Sequence, residues 1–158
     1  MAHTQDPVVL SRIKLLLVDD EDRFRPTLSK RLAEKGVAAD AAASGIDALK
    51  IVKQHPVDVI VLDIKMPEMD GIETLRQVKK MDPEIEIILL TGHANIESAV
   101  EGMRLGAFDY LMKPCDIEQL IEKIVSAYEI RTARQEKAMK NGIRKKMAHW
   151  QKHWSRSS

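Results

Sequence analysis

The chain has 158 residues, of which 44% are hydrophobic and 31% are charged, with a formal net charge of +1. This composition is typical of a globular domain, and no apolar run reaches the roughly 20 residues of a membrane-spanning helix or forms a signal peptide. Cys115 is the only cysteine, which excludes an internal disulfide and a cysteine-based zinc site, so a cytoplasmic location is expected.

The charge is distributed unevenly along the chain. From Arg131 to the last residue there are nine basic residues and one acid, Glu136, which gives a net charge of +8. Since the whole chain carries +1, residues 1–130 carry −7. An acidic body followed by a basic tail predicts two functional parts.

Residues 1–12 lack a clear periodicity and contain Asp6-Pro7, so we interpret them as a flexible arm. Residues 13–128 then alternate between short apolar runs and helical patterns. Apolar runs typical of strands buried on both faces stand at 15–18, 59–62 and 87–90. The stretch 37–43 is the weakest strand because it is rich in alanine, and we place it at a sheet edge.

Helix boundaries are also legible. Capping-box spacings begin three helices and pair Ser44 with Asp47, Asp70 with Glu73, and Asp116 with Gln119. Gly36 and Gly106 stand where helix C-terminal glycines belong. The resulting alternation of five strands and five helices predicts an α/β fold, a flavodoxin-like doubly wound (βα)5 parallel sheet in the order 2-1-3-4-5, followed by a C-terminal helical extension.

Polar residues stand where the predicted strands end. Asp19 and Asp20 follow the first strand, Asp63 the third, Thr91 the fourth and Lys113 the fifth. The carboxyl ends of parallel strands converge on one crevice, and carboxylates without histidine or cysteine suit Mg²⁺. Asp63 is then placed as a nucleophile that forms an aspartyl phosphate, with the metal, Lys113 and Thr91 interacting with the phosphoryl oxygens.

The first strand–helix turn, residues 19–23, reads Asp-Asp-Glu-Asp-Arg and contains no glycine. Dinucleotide-binding and P-loop turns both need glycines at this point, and four acids repel a pyrophosphate. Nucleotide binding in the usual mode is therefore excluded.

Four stretches together resemble the receiver domain of two-component response regulators across residues 13–128, and the stretch from Ala94 to Tyr110 is most similar to receivers of the nitrogen-regulator type. The matching stretches are 16–21, 61–71, 90–93 and 106–114. Each is weak alone, but all four in order at the right spacing make the resemblance specific.

The resemblance implies that Asp63 accepts a phosphoryl group from a sensor histidine kinase or a phosphotransfer protein. It implies that Asp20 is a direct Mg²⁺ ligand, that Asp19 is the second acid, and that the backbone carbonyl of Lys65 is a further ligand. The chain would then be a signalling phosphoacceptor and not an enzyme, catalysing at most its own Mg²⁺-dependent phosphorylation and slow autodephosphorylation.

By the same resemblance, Thr91 and Tyr110 form a switch pair that rearranges on phosphorylation. Lys113 contacts the phosphate, and the Lys113-Pro114 bond is expected to be cis. Lys65 and His93 stand at the positions that tune hydrolysis of the acyl phosphate. Because both are bulky, we expect a phosphoryl lifetime of minutes or longer.

A phosphatase of the haloacid dehalogenase type is the rival enzyme interpretation, since it also uses a strand-end aspartate and Mg²⁺. Such enzymes need a second acid two residues after the nucleophile. Lys65 stands at that position after Asp63, and Glu21, which follows Asp19, lies beside an unsuited loop.

The basic tail, residues 129–158, is predicted to be helical, with a break at Asn141-Gly142. After that break, four apolar residues recur on one helical face, at Ile143, Met147, Trp150 and Trp154. The tail is too short for a helix-turn-helix or AAA+ output domain.

Three interpretations of the tail stay open: docking on a partner protein or a second copy, contact with nucleic acid or an anionic membrane surface, and a solvated extension. We expect the chain to signal by conformational change and protein–protein contact, with a homodimer as one form of that contact. The alternative function is the receiver part of a DNA-binding transcriptional regulator.

Overall fold

The computed structural model of the protein describes residues 6–157, in which helices alternate with strands. The helices are α1 (Pro7–Arg12), α2 (Phe24–Glu34), α3 (Gly45–Gln54), α4 (Gly71–Met81), α5 (Ile96–Arg104) and α6 (Ile117–Ser157). The strands are β1 (Leu15–Val18), β2 (Ala39–Ala42), β3 (Val59–Asp63), β4 (Glu86–Thr91) and β5 (Asp109–Met112). A short 3-10 turn, His93–Asn95, precedes α5.

The five strands form one parallel sheet in the order β2-β1-β3-β4-β5. This confirms the predicted doubly wound fold and its switch point between β1 and β3. Every residue of β1, β3 and β4 is buried, as the continuous apolar runs indicated. The alanine-rich β2 is at the edge, also as predicted.

Alternating side chains of the strands separate the hydrophobic core into two layers. Leu15 and Leu17 pack with residues of α1, α2 and α6 on one face. Leu16 and Val18 pack with residues of α3, α4 and α5 on the other. Since helices cover both faces of the sheet, the loops after its strands are the place where a site can open to solvent.

The predicted helix boundaries are largely present. The side chains of Ser44 and Asp70 each accept a hydrogen bond from the backbone N–H three residues on, at 3.1 and 2.9 Å. Asp116 instead accepts from the N–H two residues on, at 3.4 Å. Gly36 and Gly106 adopt φ values of 97° and 103°, which only glycine adopts without strain at a helix end.

Helix α1 contradicts the flexible arm expected over residues 1–12, of which residues 1–5 lie outside the described part. Asp6 accepts a hydrogen bond from the N–H of Val8 at 2.9 Å, and Pro7 occupies the first helical position. Leu10 is buried against the α2 end of the core. The Asp-Pro pair that indicated an irregular arm is in fact a helix start.

Helix α6 is continuous from Ile117 to Ser157, so the break predicted at Asn141-Gly142 is wrong. A single glycine costs a helix only about 1 kcal/mol, and the neighbouring Lys, Arg, Met and Ala residues favour helix. Every side chain from 133 to 154 is exposed. Among residues 6–157, no helix combines the length and apolar content that crossing a bilayer requires.

Ion pairs fix α6 to the amino ends of β3 and β4, in what we call the basal cluster (Arg131, Arg134, Asp58, Asp82, Glu86). Buried Arg131 donates from Nε to Asp58 at 3.0 Å and lies 3.7 Å from Asp82. Arg134 pairs with the buried carboxylate of Glu86. The basal cluster therefore holds α6 at the point where it leaves the sheet.

We predict that Arg131→Ala lowers the free energy of unfolding by about 2–3 kcal/mol, because it leaves the largely buried carboxylate of Asp58 without its cation. Denaturant unfolding measures the change. Lys137→Ala, which removes an exposed cation from the same helix, should change it by less than about 0.5 kcal/mol. Equal losses in both variants would contradict a specific role of the basal cluster.

Candidate functional site

The ends of four strands place the predicted site residues at one edge of the sheet. Asp19 follows β1, Asp63 and Thr91 are the last residues of β3 and β4, and Lys113 follows β5. Because the strands pair in parallel with one another, these positions lie side by side. The convergence expected from the sequence is present.

Three carboxylates form an acid cluster at this edge. One oxygen from each of Asp19, Asp20 and Asp63 lies within 4.8 Å of the others. Asp19 is fully buried and Asp63 is 5% exposed, so water screens their repulsion poorly. An oxygen-only ligand set with excess negative charge fits a hard divalent cation such as Mg²⁺.

Lys113 supplies positive charge to the acid cluster. Its Nζ lies 2.9 Å from Asp19 Oδ2, 3.5 Å from Asp63 Oδ2 and 3.6 Å from Glu21 Oε1. Burial alone would lower the pKa of Lys113, but the hydrogen bond to Asp19 and the charges of the other acids outweigh it and raise that pKa. Lys113 is therefore a permanent ammonium group at neutral pH.

The carboxyl group of Asp63 is the most perturbed group of the site. Burial raises its pKa to about 6, against the attraction of Lys113 and with the help of the charge on Asp19. A hydrogen bond from the backbone N–H of Lys65 acts in the opposite direction and favours the carboxylate. A carboxylate held in a site that opposes its charge is a group that a bound cation would stabilise.

An open cleft of about 680 Å³ lies above the acid cluster, and Asp20, Asp63, Lys65 and Lys113 are part of its lining. The cleft gives solvent and small ligands access to Asp63. Thr91 is fully buried, and its hydroxyl donates to the carbonyl of the next residue at 3.0 Å. Its hydroxyl is therefore engaged with the backbone and not directed to the acid cluster.

Two other predicted residues lie outside the acid cluster. Tyr110 is 38% exposed and lines a separate depression together with Asp109 and Lys123. The backbone of His93 begins the 3-10 turn after β4, while its side chain lies outside the described part of the structure. The Lys113-Pro114 bond is cis, as expected.

Two residues of α2 complete the site without any signal in the sequence. The centroid of the Phe24 ring lies 4.3 Å from Lys113 Nζ, so the ammonium group makes a cation–π contact in addition to its ion pairs. Arg25 donates to the backbone carbonyl of Asp19 at 2.7 Å. Neither position follows a recognisable spacing, because the contacts depend on how α2 packs against the sheet.

Gly71 is a further site residue, at the start of α4. Its N–H donates to the carbonyl of Ile64 at 2.8 Å, and a Cβ at this position would lie 2.3 Å from the backbone oxygen of Asp63. Any other residue would therefore displace the strand end that carries Asp63. Gly71 belongs to one of the motifs of the sequence, although no role was assigned to it there.

Known proteins are similar in sequence to this chain over most of its length. A family model described as the response regulator receiver domain matches residues 15–125. Regulatory protein AtoC of Escherichia coli is 38% identical over 78% of this chain, and the DNA-binding transcriptional regulator NtrC of Escherichia coli is 36% identical over 72%. The matches span 27% and 25% of those two proteins, so this chain corresponds to about a quarter of their length.

A solved receiver domain protein from Clostridium thermocellum superposes with a TM-score of 0.73 at 32% identity, covering 77% of this chain and 98% of that one. The relatives confirm the similarity to nitrogen-regulator-type receivers. With 15–125 matched as one receiver unit, the chain belongs to the response regulator receiver domain family.

Proposed function

We propose that this chain is a phosphorylatable response regulator in which Asp63 accepts a phosphoryl group from a sensor histidine kinase or a phosphotransfer protein. One observation carries the proposal: the Asp63 carboxylate stands in an open cleft beside two further carboxylates and 3.5 Å from Lys113 Nζ. The groups proposed as nucleophile, cation ligands and phosphate-binding ammonium therefore lie close together, which supports the proposal.

In the proposed reaction, a carboxylate oxygen of Asp63 forms a bond to phosphorus while the P–N bond of the donor phosphohistidine breaks. The freed imidazole takes up a proton. Mg²⁺, held by Asp19, Asp20, Asp63 and the backbone carbonyl of Lys65, would offset charge on the transferring oxygens. Lys113 is already beside the attacking carboxylate and follows the charge onto the new phosphoryl group.

Phosphorylation is proposed to bias an equilibrium between two conformations. The Thr91 hydroxyl would exchange its bond to the backbone carbonyl of Gly92 for one to the phosphoryl group. Tyr110, exposed on β5, would then change its position, and the surface around it would signal by contact with another protein. The buried position of Thr91 at the end of β4 supports this coupling, because its hydroxyl needs only a local rotation.

The chain is proposed to be a phosphoacceptor without turnover of free phosphate esters. The place of a second catalytic acid, two residues after Asp63, is held by Lys65, and its N–H binds the nucleophile. A cytoplasmic location, where phosphohistidine donors occur, belongs to the same proposal. The receiver unit is proposed to span residues 13–128, with 129–158 as a separate functional part.

A second candidate function is that of a receiver within a DNA-binding transcriptional regulator. The observation that favours it is the name and identity of the relatives, among them a DNA-binding transcriptional regulator at 36% identity. In that case the phosphorylation chemistry of Asp63 would be the same, and only the output would differ.

We predict that Mg²⁺ with acetyl phosphate adds one phosphoryl group to the chain and that Asp63→Asn abolishes the addition. Intact-protein mass spectrometry measures it directly. Asp22→Asn is the matched control, because it removes an exposed carboxylate from the neighbouring loop and should leave the gain unchanged. A phosphoryl group retained in Asp63→Asn would show that Asp63 is not the acceptor.

We predict that Asp63→Asn stabilises the metal-free protein at neutral pH. Asp63 ionises near 3.8 when unfolded and at about 6 when folded, so its contribution to stability falls as pH rises between these values. At about pH 7.5 the variant should gain about 1–3 kcal/mol in free energy of unfolding, and at about pH 4 almost nothing.

Denaturant unfolding in the presence of a chelator, at both pH values, tests this prediction. Asp22→Asn again serves as the control and should remain within about 0.5 kcal/mol of the unsubstituted protein. An unchanged or reduced stability of Asp63→Asn at the higher pH would mean that the buried charge of Asp63 does not destabilise the folded protein.

We predict that the phosphorylated chain keeps its phosphoryl group for minutes or longer and that Lys65→Ala shortens this lifetime severalfold. The side chain of Lys65 lines the cleft above Asp63 and limits the approach of water to the acyl phosphate. Loss of phosphate from isolated phosphoprotein gives the rate, with Lys50→Ala on α3 as control. Decay within seconds in the unsubstituted chain would contradict the shielding.

A further inference from the structure

The exposed end of α6 is an amphipathic segment, residues 139–154, that no part of the proposed phosphorylation chemistry uses. Four of its apolar side chains are more than half exposed although they lie in a regular helix: Met139 (69%), Ile143 (51%), Met147 (58%) and Trp150 (61%). At about 100° per residue they fall within a stripe roughly 80° wide, and Trp154 continues it.

The rest of the helix surface in the amphipathic segment is cationic. Its basic residues are Lys140, Arg144, Lys145, Lys146 and Lys152, and the chain has no acid after Glu136. By the helical repeat, Lys140 and Lys146 border the stripe on either side, whereas Lys145 and Lys152 lie opposite it. Positive charge therefore surrounds a narrow apolar edge that contains tryptophan.

We propose that the amphipathic segment binds the surface of an anionic lipid bilayer. The helix lies in the plane of the headgroups, with Ile143, Met147 and Trp150 at the boundary of the acyl chains. The flanking lysines then reach the lipid phosphates, and tryptophan occupies the interfacial position that suits an amphipathic ring. This inference goes beyond the proposed phosphorylation and does not depend on it.

Charge and shape favour a lipid surface over other occupants. Two copies packed through the stripe would bring Lys140 and Lys146 of each copy close together across a narrow seam, which opposes association. A nucleic acid would use the cations but leave the apolar stripe in water. A protein groove would cover the stripe, whereas a plane of anionic headgroups covers the stripe and also places lipid phosphates beside the lysines that border it, Lys140 and Lys146.

The acidic body does not cancel this attraction. Residues 1–130 carry −7, but the basal cluster holds them at the other end of the helix. From Arg134 to Met147 the helix rises about 20 Å, which exceeds the Debye length of about 8 Å at physiological salt. The segment therefore presents its positive charge to a surface largely independent of the body.

The chain has two tryptophans, Trp150 and Trp154, so intrinsic tryptophan fluorescence reports on the amphipathic segment alone. The full chain is titrated with vesicles of equal parts phosphatidylcholine and phosphatidylserine, and separately with phosphatidylcholine vesicles. We expect a blue shift and co-sedimentation with the anionic vesicles only, weakening as salt is raised.

Two double variants divide the interaction into its parts. Lys140→Gln with Lys146→Gln removes the two cations that border the stripe and should weaken partitioning into anionic vesicles about 30-fold, the usual contribution of two cations near a charged surface. Ile143→Ser with Met147→Ser keeps every charge and both tryptophans and should weaken it at least about tenfold. Lys50→Gln with Lys53→Gln removes the same charge from exposed positions on α3 and should have no effect.

Circular dichroism verifies that each variant keeps its helix, and if the serine pair loses helix, the lysine pair decides the outcome. No binding to anionic vesicles would overturn the proposal, as would equal binding to neutral ones or binding that neither variant weakens. A blue shift that grows with protein concentration in the absence of lipid would assign the segment to self-association instead. A stronger response to duplex DNA than to vesicles would assign it to nucleic acid.

Discussion

The structure of the site depends on the attraction between one ammonium group and the carboxylates that surround it. Lys113 lies within 3.6 Å of three acids on two different stretches of chain, and one of these acids is fully buried. Without that cation the acids would repel each other across a poorly screened interior. One positive charge does not neutralise them, and the remaining negative charge leaves a ligand set that fits a divalent cation. Burial is the main cause of the raised pKa of Asp63, and the charge on Asp19 adds to it.

The two ends of the parallel sheet differ in how closely their charged groups are paired. At the carboxyl ends, unsatisfied charge is gathered in an open cleft, where it is available for binding and chemistry. At the amino ends, the basal cluster pairs its charges closely and fixes α6 to β3 and β4. Helix α6 packs into one layer of the core along its first turns, and from residue 133 to residue 154 its side chains are exposed. The carboxyl end of the sheet therefore holds an excess of negative charge, whereas the amino end holds ion pairs that attach α6.

Much of this arrangement could be predicted because strand ends are legible in the sequence. Asp19, Asp63 and Lys113 each follow an apolar run, so a parallel sheet brings them together whatever the details of packing. The features that escaped prediction depend on tertiary contacts. Phe24 and Arg25 meet the site only through the packing of α2, and the hydroxyl of Thr91 is bound to its neighbour's carbonyl. Local signals were also overridden: Asp6-Pro7 starts a helix, and α6 continues through Gly142.

Because α6 is uninterrupted, a small rotation at its attachment produces a larger displacement at its far end. About 30 Å of continuous helix separates Arg134, which pairs with the body, from Trp154. A tilt of about 5° at the attachment would carry the far end sideways by about 3 Å, without any change within the helix itself. A small change in the orientation of α6 at the core therefore becomes a larger displacement at its distal end. The length of α6, and not a large rearrangement of the body, sets the size of the displacement at a surface in contact with its distal end.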